Sequence, residues 1–133
     1  MRLATGLMAL FLIAHTLGTV TTTSRGPAED AALAALAAFR FDVMGVTRSH
    51  ADFYFGLGLC LSAALVLVVW ISMVATRLIA EGNATGHTLS RALAVTTGLI
   101  AAISWWWIFP APAVMSTAAA AVYAWAGFSK ERS

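Results

Sequence analysis

Four long apolar segments constrain this chain more than any other feature of its sequence. They run from Leu3 to Val20, Phe53 to Ala75, Ala92 to Phe109 and Ala111 to Phe128, and each has the roughly 17 to 25 residues that a membrane-spanning helix needs. Only 11% of residues are charged and the mean hydropathy is +0.83, whereas soluble domains carry about 25% charged residues. The sequence therefore predicts an all-α integral membrane protein, with residues 1–133 forming one domain, a four-helix transmembrane bundle.

Pro110 divides what would otherwise be one long apolar stretch into the third and fourth segments. Proline cannot continue the hydrogen bonding of a helix, so we expect a tight turn here rather than one long kinked helix. The first segment also has the basic start and apolar run of a secretory signal peptide. However, His15 interrupts that run, and no small-x-small cleavage site follows in good position. We therefore expect all four segments to be spanning helices.

Basic residues predict how the chain lies in the membrane, because cytoplasmic loops carry an excess of lysine and arginine. With both termini in the cytoplasm, the inner side holds five basic residues: Arg2, Arg77, Arg91, Lys130 and Arg132. The outer side then holds three, spread over a longer loop: Arg25, Arg40 and Arg48. We expect a bacterial inner-membrane protein with both termini cytoplasmic. The net charge of +2 is too small and too scattered to indicate a nucleic-acid partner.

The connection from Thr21 to Asp52 is the only long loop. Within it, Pro27 followed by Glu29 and Asp30 is typical of a helix start, because proline suits the first turn and acids suit the positive end of the helix dipole. The Ala-rich run that follows predicts helix up to about Phe41. We expect an extracytoplasmic helix between the first and second spans, acting either as a lid or interfacial helix or as a plain packing element. Four residues are candidates to dock it: Leu33, Leu36, Phe39 and Met44.

Two other regions have ordinary structural interpretations. Thr76 to Ser90 is predicted as a short polar inner loop in which His87 is solvated. Cys60 is the single cysteine, which excludes an internal disulfide, and its apolar surroundings predict a small core residue.

Several polar residues occur where a membrane protein accommodates them only at a cost. His15 lies twelve residues past Leu3, which is about 18 Å into a hydrocarbon core of about 30 Å. Asp52 and Tyr54 open the second segment, and the run from Trp105 to Trp107 closes the third, on the same outer side. The long loop adds three more residues on that side: Arg40, Asp42 and Arg48. This convergence predicts a polar cavity in the outer leaflet.

Proton transfer on a lipophilic small molecule suits such a cavity, because it needs an acid, a base and an apolar wall. We predict an acid/base isomerase or an isoprenoid-type cyclase that uses neither cofactor nor metal. The candidate catalytic residues are His15, Asp42 and Asp52. The candidate substrate-binding residues are Arg40, Arg48, His50, Tyr54, Trp105 and Trp106.

Structural interpretations of the charged and imidazole groups stand beside this hypothesis. His15 can be satisfied inside a bundle by Thr16, Tyr54 or a carbonyl group. Arg48 and Asp52 are four residues apart and can pair along one helix. His50 and Tyr54 have the same spacing and can pair in the same way.

Small and aromatic residues also have structural interpretations. A stripe on the second segment favours close packing of a neighbouring helix: Asp52, Gly56, Cys60 and Ala63. The tryptophan run is typical of an aromatic belt at the headgroup level. Consecutive helical residues point about 100° apart, however, so at least one of these tryptophans should face the bundle.

Two other classes of function fit the same residues. An electron-transfer protein would hold haem or a quinone, with His15 and His50 as axial ligands; a metal site would add Asp52. A non-catalytic subunit would use its polar residues to hold helices together in a larger membrane complex. A homodimer through small residues such as Gly56 and Gly58 is a further option, and membrane lipid is a partner in every case.

Part of the sequence is similar to known proteins. The stretch from Phe39 to Gly45, followed by Arg48-Ser49 and by Asp52 to Gly58, and preceded by His15 to Gly18, resembles small four-helix bacterial membrane proteins of unassigned function. In architecture it is loosely similar to DoxX-like proteins. The resemblance covers roughly the first half of the chain. It implies that the polar residues belong to one unit, and it implies no activity.

Overall fold

The computed structural model of the protein describes residues 1–21 and 23–129. Within these residues, four helices are long and apolar enough to cross a membrane, as many as the sequence predicts. A further helix and a two-stranded hairpin occupy the connection between the first two spans. In chain order the elements are α1 (Arg2–Val20), α2 (Pro27–Ala38), β1 (Arg40–Val43), β2 (Val46–Ser49), α3 (His50–Ala80), α4 (Ala84–Trp107) and α5 (Pro110–Phe128).

The chain forms two compact units. The bundle unit comprises Met1–Ile13 and Ala64–Ser133, which are the start of α1, the end of α3, and α4 and α5. The hairpin unit comprises Ala14–Ala63, which contains the end of α1, α2, both strands and the start of α3.

The core of the bundle unit is built from hydroxyl-bearing side chains as well as apolar ones. Tyr123 of α5 is fully buried, and its hydroxyl donates to Ser72 Oγ of α3 at 2.9 Å. Ser72 Oγ also shares a hydrogen bond with Thr5 Oγ1 of α1 at 2.6 Å. Ser90 of α4 donates to the carbonyl oxygen of Tyr123 at 2.7 Å. Uncharged polar groups thus join all four helices of the unit, as is usual between helices in a membrane.

Two glycines in the bundle unit allow neighbouring backbones to approach closely. A Cβ atom at Gly127 of α5 would lie 2.7 Å from Arg91 Cγ and 3.0 Å from the Arg91 backbone nitrogen on α4. A Cβ atom at Gly86 of α4 would lie 2.7 Å from the backbone nitrogen of Ile79 on α3. Because real Cβ atoms do not come this close, both contacts require glycine.

The connection between α3 and α4 is much shorter than the sequence suggests. Gly82, with φ of +70°, donates to the carbonyl oxygen of Ile79, and Asn83 donates to that of Leu78. This is a Schellman motif, in which a left-handed glycine ends the helix. Asn83 Oδ1 then caps α4 by accepting a hydrogen bond from the backbone of Thr85 at 2.9 Å. Asn83 therefore completes the end of α3 and caps the start of α4.

The predicted inner loop from Thr76 to Ser90 is therefore wrong, since most of it is helical. His87 lies in the first turns of α4, where its Nδ1 is 2.9 Å from the carbonyl oxygen of Ala126 on α5. It is a partly buried contact between helices and not a solvated loop residue. The polar composition that indicated a loop instead reflects the exposed ends of two helices.

The predicted turn at Pro110 is confirmed. Phe109 is extended, and Pro110 is the first residue of α5, where its missing N–H costs no helical hydrogen bond. α4 and α5 run antiparallel, since Trp105 near the end of α4 donates to Thr117 near the start of α5.

The Ala-rich helix α2 begins at Pro27 as predicted, but it ends at Ala38 rather than near Phe41. From Phe39 onward, aromatic and β-branched residues alternate with charged ones, which favours a strand. β1 pairs antiparallel with β2, with Phe41 opposite Arg48 and Val43 opposite Val46.

Two residues form the tip of the β1–β2 hairpin. Met44 and Gly45 have φ of 54° and 81°, as in the type I′ turns that suit the twist of paired strands. Met44 is 98% exposed at this tip, so its predicted place on a docked helix is wrong.

In the hairpin unit, α1 packs on α3 through a different face from the predicted one. A Cβ atom at Gly58 would lie 2.7 Å from Thr19 Cγ2, and Thr16 donates to Ser62 Oγ at 2.9 Å. On the predicted stripe, by contrast, Gly56 has no neighbour within 4 Å of a Cβ position, and Cys60 is exposed. The prediction of Cys60 as a core residue is therefore wrong, because the packed face of α3 lies on another side of the helix.

Candidate functional site at the hairpin–helix junction

The first turn of α3 is fixed to the end of β2 by a reciprocal pair of hydrogen bonds. The backbone nitrogen of Ser49 donates to Asp52 Oδ2 at 2.9 Å, and that of Asp52 donates to Ser49 Oγ at 3.1 Å. This is a capping box, in which two unpaired backbone donors at a helix start are satisfied together. Asp52, a predicted acid catalyst, therefore has a structural role at the start of α3.

An aromatic cluster surrounds the imidazole of His50, the first residue of α3. The His50 ring centroid lies 5.0 Å from that of Phe39 and 5.2 Å from that of Phe41. Phe41 also contacts Phe53 edge to face, with centroids 6.5 Å apart. His50 is partly buried here. The His50 imidazole, which can donate and accept hydrogen bonds, thus lies against the apolar rings of Phe39 and Phe41.

Two guanidinium groups flank the start of α3 on opposite faces of the hairpin: Arg48 shares the face of Phe41, and Arg40 lies on the other face, because successive strand residues point to opposite sides. In the strand register, Arg40 is opposite Ser49 and Arg48 is opposite Phe41. Both arginines are exposed, and both interact electrostatically with the carboxylate of Asp52. We call the set Phe39, Arg40, Phe41, Arg48, His50 and Asp52 the junction.

The side-chain pairs predicted along one helix do not form. Arg48 lies on β2, before the helix begins, and its Nη1 donates to the carbonyl oxygen of Thr47 at 3.0 Å. Asp52 is bonded to Ser49 instead. Tyr54 is 63% exposed and does not bond to His50, which contacts aromatic rings. The Arg48–Asp52 prediction fails because β2 runs up to Ser49, so the helical spacing does not apply before His50. His50 and Tyr54 both lie on α3, but the His50 ring contacts Phe39 and Phe41 instead.

Asp42, another predicted acid catalyst, lies on the hairpin. Its Oδ1 accepts a hydrogen bond from the hydroxyl of Thr47, the residue opposite it on β2. Its carboxylate is thus held across the two strands and is exposed to the surroundings.

His15 of α1 contacts α3 beyond its first turn. Its Nε2 lies 3.0 Å from the carbonyl oxygen of Gly58, and Gly58 is six residues beyond Asp52, or about 9 Å along the helix. A carbonyl partner was one of the structural interpretations of this residue. The structure therefore brings together Arg40, Arg48, His50 and Asp52, and it places the proposed base, His15, farther along α3.

The tryptophans belong to the bundle unit. Trp105 turns towards α5 and donates to Thr117 Oγ1 at 3.1 Å. Trp106 and Trp107 are 78% and 74% exposed, with ring centroids 6.3 Å apart. Ligand binding by Trp105 and Trp106 stays a prediction.

Within the described ranges 1–21 and 23–129, no three His, Cys, Asp or Glu side chains group closely enough to hold a metal ion. The combination of His15, His50 and Asp52 is therefore not a metal site in this part of the chain.

Two residues of the junction, Phe39 and Phe41, and Ser49, which bonds to its Asp52, were not among the predicted site residues. The spacing of Ser49 and Asp52 in Ser-x-x-Asp is a signal for the cap. The Met44-Gly45 turn between alternating strands signals the hairpin that positions the two phenylalanines.

No protein-family model, no curated protein and no solved structure matches this chain. The similarity to DoxX-like proteins stays a prediction. The function must be inferred from the chemistry of the junction.

Proposed function

We propose that this chain is an integral membrane protein that binds a lipophilic small molecule at the junction. One observation carries the proposal: the His50 imidazole contacts Phe39 and Phe41, and the exposed Arg48 lies opposite Phe41 on the same face of the hairpin. The rings offer apolar faces to the body of a ligand. Arg48 offers charge-assisted hydrogen bonds to an acidic or carbonyl group at its end, and Arg40, on the other face of the hairpin, adds positive charge near the start of α3.

The donors of Arg48 support this assignment. A guanidinium group has five N–H donors, and Arg48 uses Nη1 on the carbonyl oxygen of Thr47. Most of its donors therefore remain for a ligand. The expected ligand is a lipophile with one anionic or carbonyl group, which is the kind of molecule that partitions to a membrane interface.

Catalysis is an extension of this proposal. An acid/base isomerase or an isoprenoid-type cyclase needs a proton-transfer group that faces the ligand. Asp52 and Asp42 accept structural hydrogen bonds, and His15 of α1 contacts α3 at Gly58, farther from the start of that helix. We therefore assign proton transfer to His50, since an imidazole carries one nitrogen that can donate a proton and one that can accept it. No cofactor is required for this chemistry.

The proposed orientation rests on the positions of basic residues. Arg2 begins α1, Arg77 lies near the end of α3 and Arg91 lies near the start of α4. Ser90 contacts Met1, so these ends meet within the bundle unit. The excess of five basic residues over three arises only when Lys130 and Arg132, which lie outside the described residues, are counted with Arg2, Arg77 and Arg91. That excess favours the cytoplasmic side of a bacterial inner membrane.

Native mass spectrometry tests the binding proposal. The full chain is purified in mild detergent, and the mass of any retained molecule is measured together with the absorption spectrum. We expect an apolar adduct without visible absorbance. The Arg40→Gln/Arg48→Gln variant should lose this adduct, because it keeps the apolar surface but removes both guanidinium groups.

Arg25→Gln is the matched control for this test. Arg25 is exposed in the same connection, outside the junction, and its substitution removes one guanidinium group without changing the junction. The control should retain the adduct. Equal retention by all three proteins would contradict binding at the junction.

A non-catalytic subunit of a membrane complex is the second candidate. It is favoured by the hydrogen bonds that Asp42, Asp52 and His15 make within the chain. Co-purification of foreign membrane subunits, with no small molecule bound, would support this candidate and contradict the first. A homodimer would appear in the same spectra at twice the chain mass.

An electron-transfer protein is the remaining alternative. A Soret band would identify haem and would indicate that His15 and His50 are its axial ligands. A quinone would be recognised by its mass. Either result would replace the proposal of a substrate-like lipophile.

A further inference from the structure

The bundle unit contains a groove between α1 and the end of α3, on a part of the molecule that the proposed function does not use. Its volume is about 640 Å³, within the range of about 300 to 1,000 Å³ that is common for ligand sites. Arg2 and Arg77 line one end of it. Further along the same two helices the lining residues are Gly6 and Ala9 on α1, and Val69 and Met73 on α3.

Helical spacing gives the groove a direction. On α1, Arg2 and Ala9 are seven residues apart, and on α3 Arg77 and Val69 are eight apart. With a rise of 1.5 Å per residue, the charged end is separated from the apolar end by about 10 to 12 Å. Gly6 has no atom within 4 Å of its Cβ position, so the middle of the groove is open.

The two threonines that line the groove have their hydroxyl groups satisfied. Thr5 Oγ1 bonds to the carbonyl oxygen of Met1 and to Ser72 Oγ, and Thr76 Oγ1 donates to the carbonyl oxygen of Ser72 at 2.7 Å. The free polar groups of the groove are therefore the two guanidinium groups at its end.

Neither guanidinium group is neutralised by the part of the chain that the structure describes. Arg2 and Arg77 are exposed, and no residue in 1–21 or 23–129 forms an ion pair or a hydrogen bond with their side chains. Glu81 follows Arg77 by one helical turn without forming an ion pair with it. Two positive charges thus lie at one end of an apolar groove.

We propose that this groove binds one anionic phospholipid. Its phosphate lies against Arg2 and Arg77, because guanidinium groups bind phosphate oxygens through paired hydrogen bonds. One acyl chain follows the apolar surface past Gly6 to Val69. In the proposed orientation this end faces the cytoplasmic leaflet, whose surface carries anionic lipid. The two positive charges favour a lipid of net negative charge over a zwitterionic one.

The test places the full chain in nanodiscs of phosphatidylcholine with increasing fractions of phosphatidylglycerol. The protein is then released from the nanodiscs, and native mass spectrometry identifies the lipid that stays bound to it. We expect one retained phosphatidylglycerol and no retained phosphatidylcholine. Arg2→Gln and Arg77→Gln should each weaken retention about fivefold, the effect of one basic residue at an anionic surface.

Arg91→Gln is the matched control for charge. Arg91 belongs to the same end of the bundle unit but does not line the groove, and its guanidinium lies over the ring of Phe128. Retention should be unchanged in this variant. A loss equal to that of Arg77→Gln would overturn the proposal, since it would indicate general attraction to a basic surface.

Gly6→Leu tests the apolar part of the groove while both arginines remain. The added side chain enters open space, so the helix should fold normally and the groove should be filled. We expect phosphatidylglycerol retention to fall at least fivefold. Gly98→Leu on α4, where a Cβ also meets no atom within 4 Å, should leave retention unchanged.

Inorganic phosphate separates a lipid from a free anion as the occupant. It should not displace the retained phosphatidylglycerol at millimolar concentration, because it has no acyl chain to fill the groove. Displacement by phosphate, or equal retention of phosphatidylcholine and phosphatidylglycerol, would overturn the proposal. The junction variant Arg40→Gln/Arg48→Gln should retain the phospholipid, which separates this site from the proposed small-molecule site.

Discussion

The best-defined polar clusters of the two units differ in burial and in charge. In the bundle unit, Tyr123, Ser72 and Thr5 form a buried chain of hydroxyl groups between helices. In the hairpin unit, Arg40, Arg48 and Asp52 are exposed around the start of α3. The comparison shows that a polar residue in an apolar sequence has two possible meanings, and that charge distinguishes them.

The physical reason lies in what each group requires of its surroundings. A hydroxyl group can be satisfied by one neighbouring oxygen and joins helices at little cost. A guanidinium or carboxylate group needs water, a counter-charge or a ligand. The buried hydroxyl groups therefore hold the helices of the bundle unit together, whereas the exposed charged groups of either unit are open to a ligand.

The largest expected effect is on helix packing in the bundle unit. Gly86→Ala would place a Cβ atom 2.7 Å from the backbone nitrogen of Ile79, so α3 and α4 must separate. We expect a loss of about 2 kcal/mol in the free energy of unfolding, as for other overpacked sites. Denaturant titration in detergent measures it.

Gly98→Ala is the control for this substitution, since its Cβ would meet no atom within 4 Å. It should be neutral or stabilising by about 0.5 to 1 kcal/mol, because alanine favours helix over glycine. Equal destabilisation by both substitutions would mean that close packing does not hold the bundle unit together.

The second effect concerns the buried hydroxyl chain. Tyr123→Phe removes the donor to Ser72 Oγ and should lower the free energy of unfolding by about 1 to 1.5 kcal/mol. Tyr54→Phe removes an exposed hydroxyl in the hairpin unit and should have no measurable effect. If Tyr54→Phe were as destabilising as Tyr123→Phe, the contrast between the two units would fail.

The third effect separates a structural from a catalytic Asp52. Ser49→Ala removes one half of the capping box and should cost about 1 kcal/mol. Asp52→Asn should be less destabilising, and the purified protein should still retain the junction ligand. Loss of the ligand in Asp52→Asn with full stability would instead indicate a direct role of this carboxylate at the site.

The smallest effect is at the tip of the hairpin. Met44 has φ of 54° before Gly45, and Asn-Gly is the preferred pair for such a turn. Met44→Asn should therefore stabilise the hairpin unit by roughly 0.5 kcal/mol at most. Hydrogen exchange of the strand amides measures this change, and faster exchange would contradict the assigned turn.

Much of the fold follows from simple sequence patterns, because segment length and hydropathy report directly on spanning helices. The ends of elements were harder to predict. Gly82 and Asn83 end one helix and begin the next within a three-residue turn, yet in sequence they resemble the middle of a polar loop. The helix propensity of the Ala-rich run similarly concealed the hairpin that begins at Arg40.

The candidate site was predictable as a set of residues but not as an arrangement. Ionisable groups near the start of the second span predicted the region of the site. Four of them lie in one unit: Arg40, Arg48, His50 and Asp52. Their partners depend on strand register and helix phase, which the sequence does not reveal at this precision. The groove lined by Arg2 and Arg77 was not predicted, because no single residue in it is unusual for a membrane helix or for the end of one.

The most direct test of the central claim is the native mass of the unmodified chain purified in mild detergent, compared with that of Arg40→Gln/Arg48→Gln. The account predicts an apolar adduct that is lost from the variant, while any phospholipid bound at the groove remains on both proteins. An adduct that persists in the variant, or an unmodified chain that carries no small molecule at all, would contradict binding at the junction.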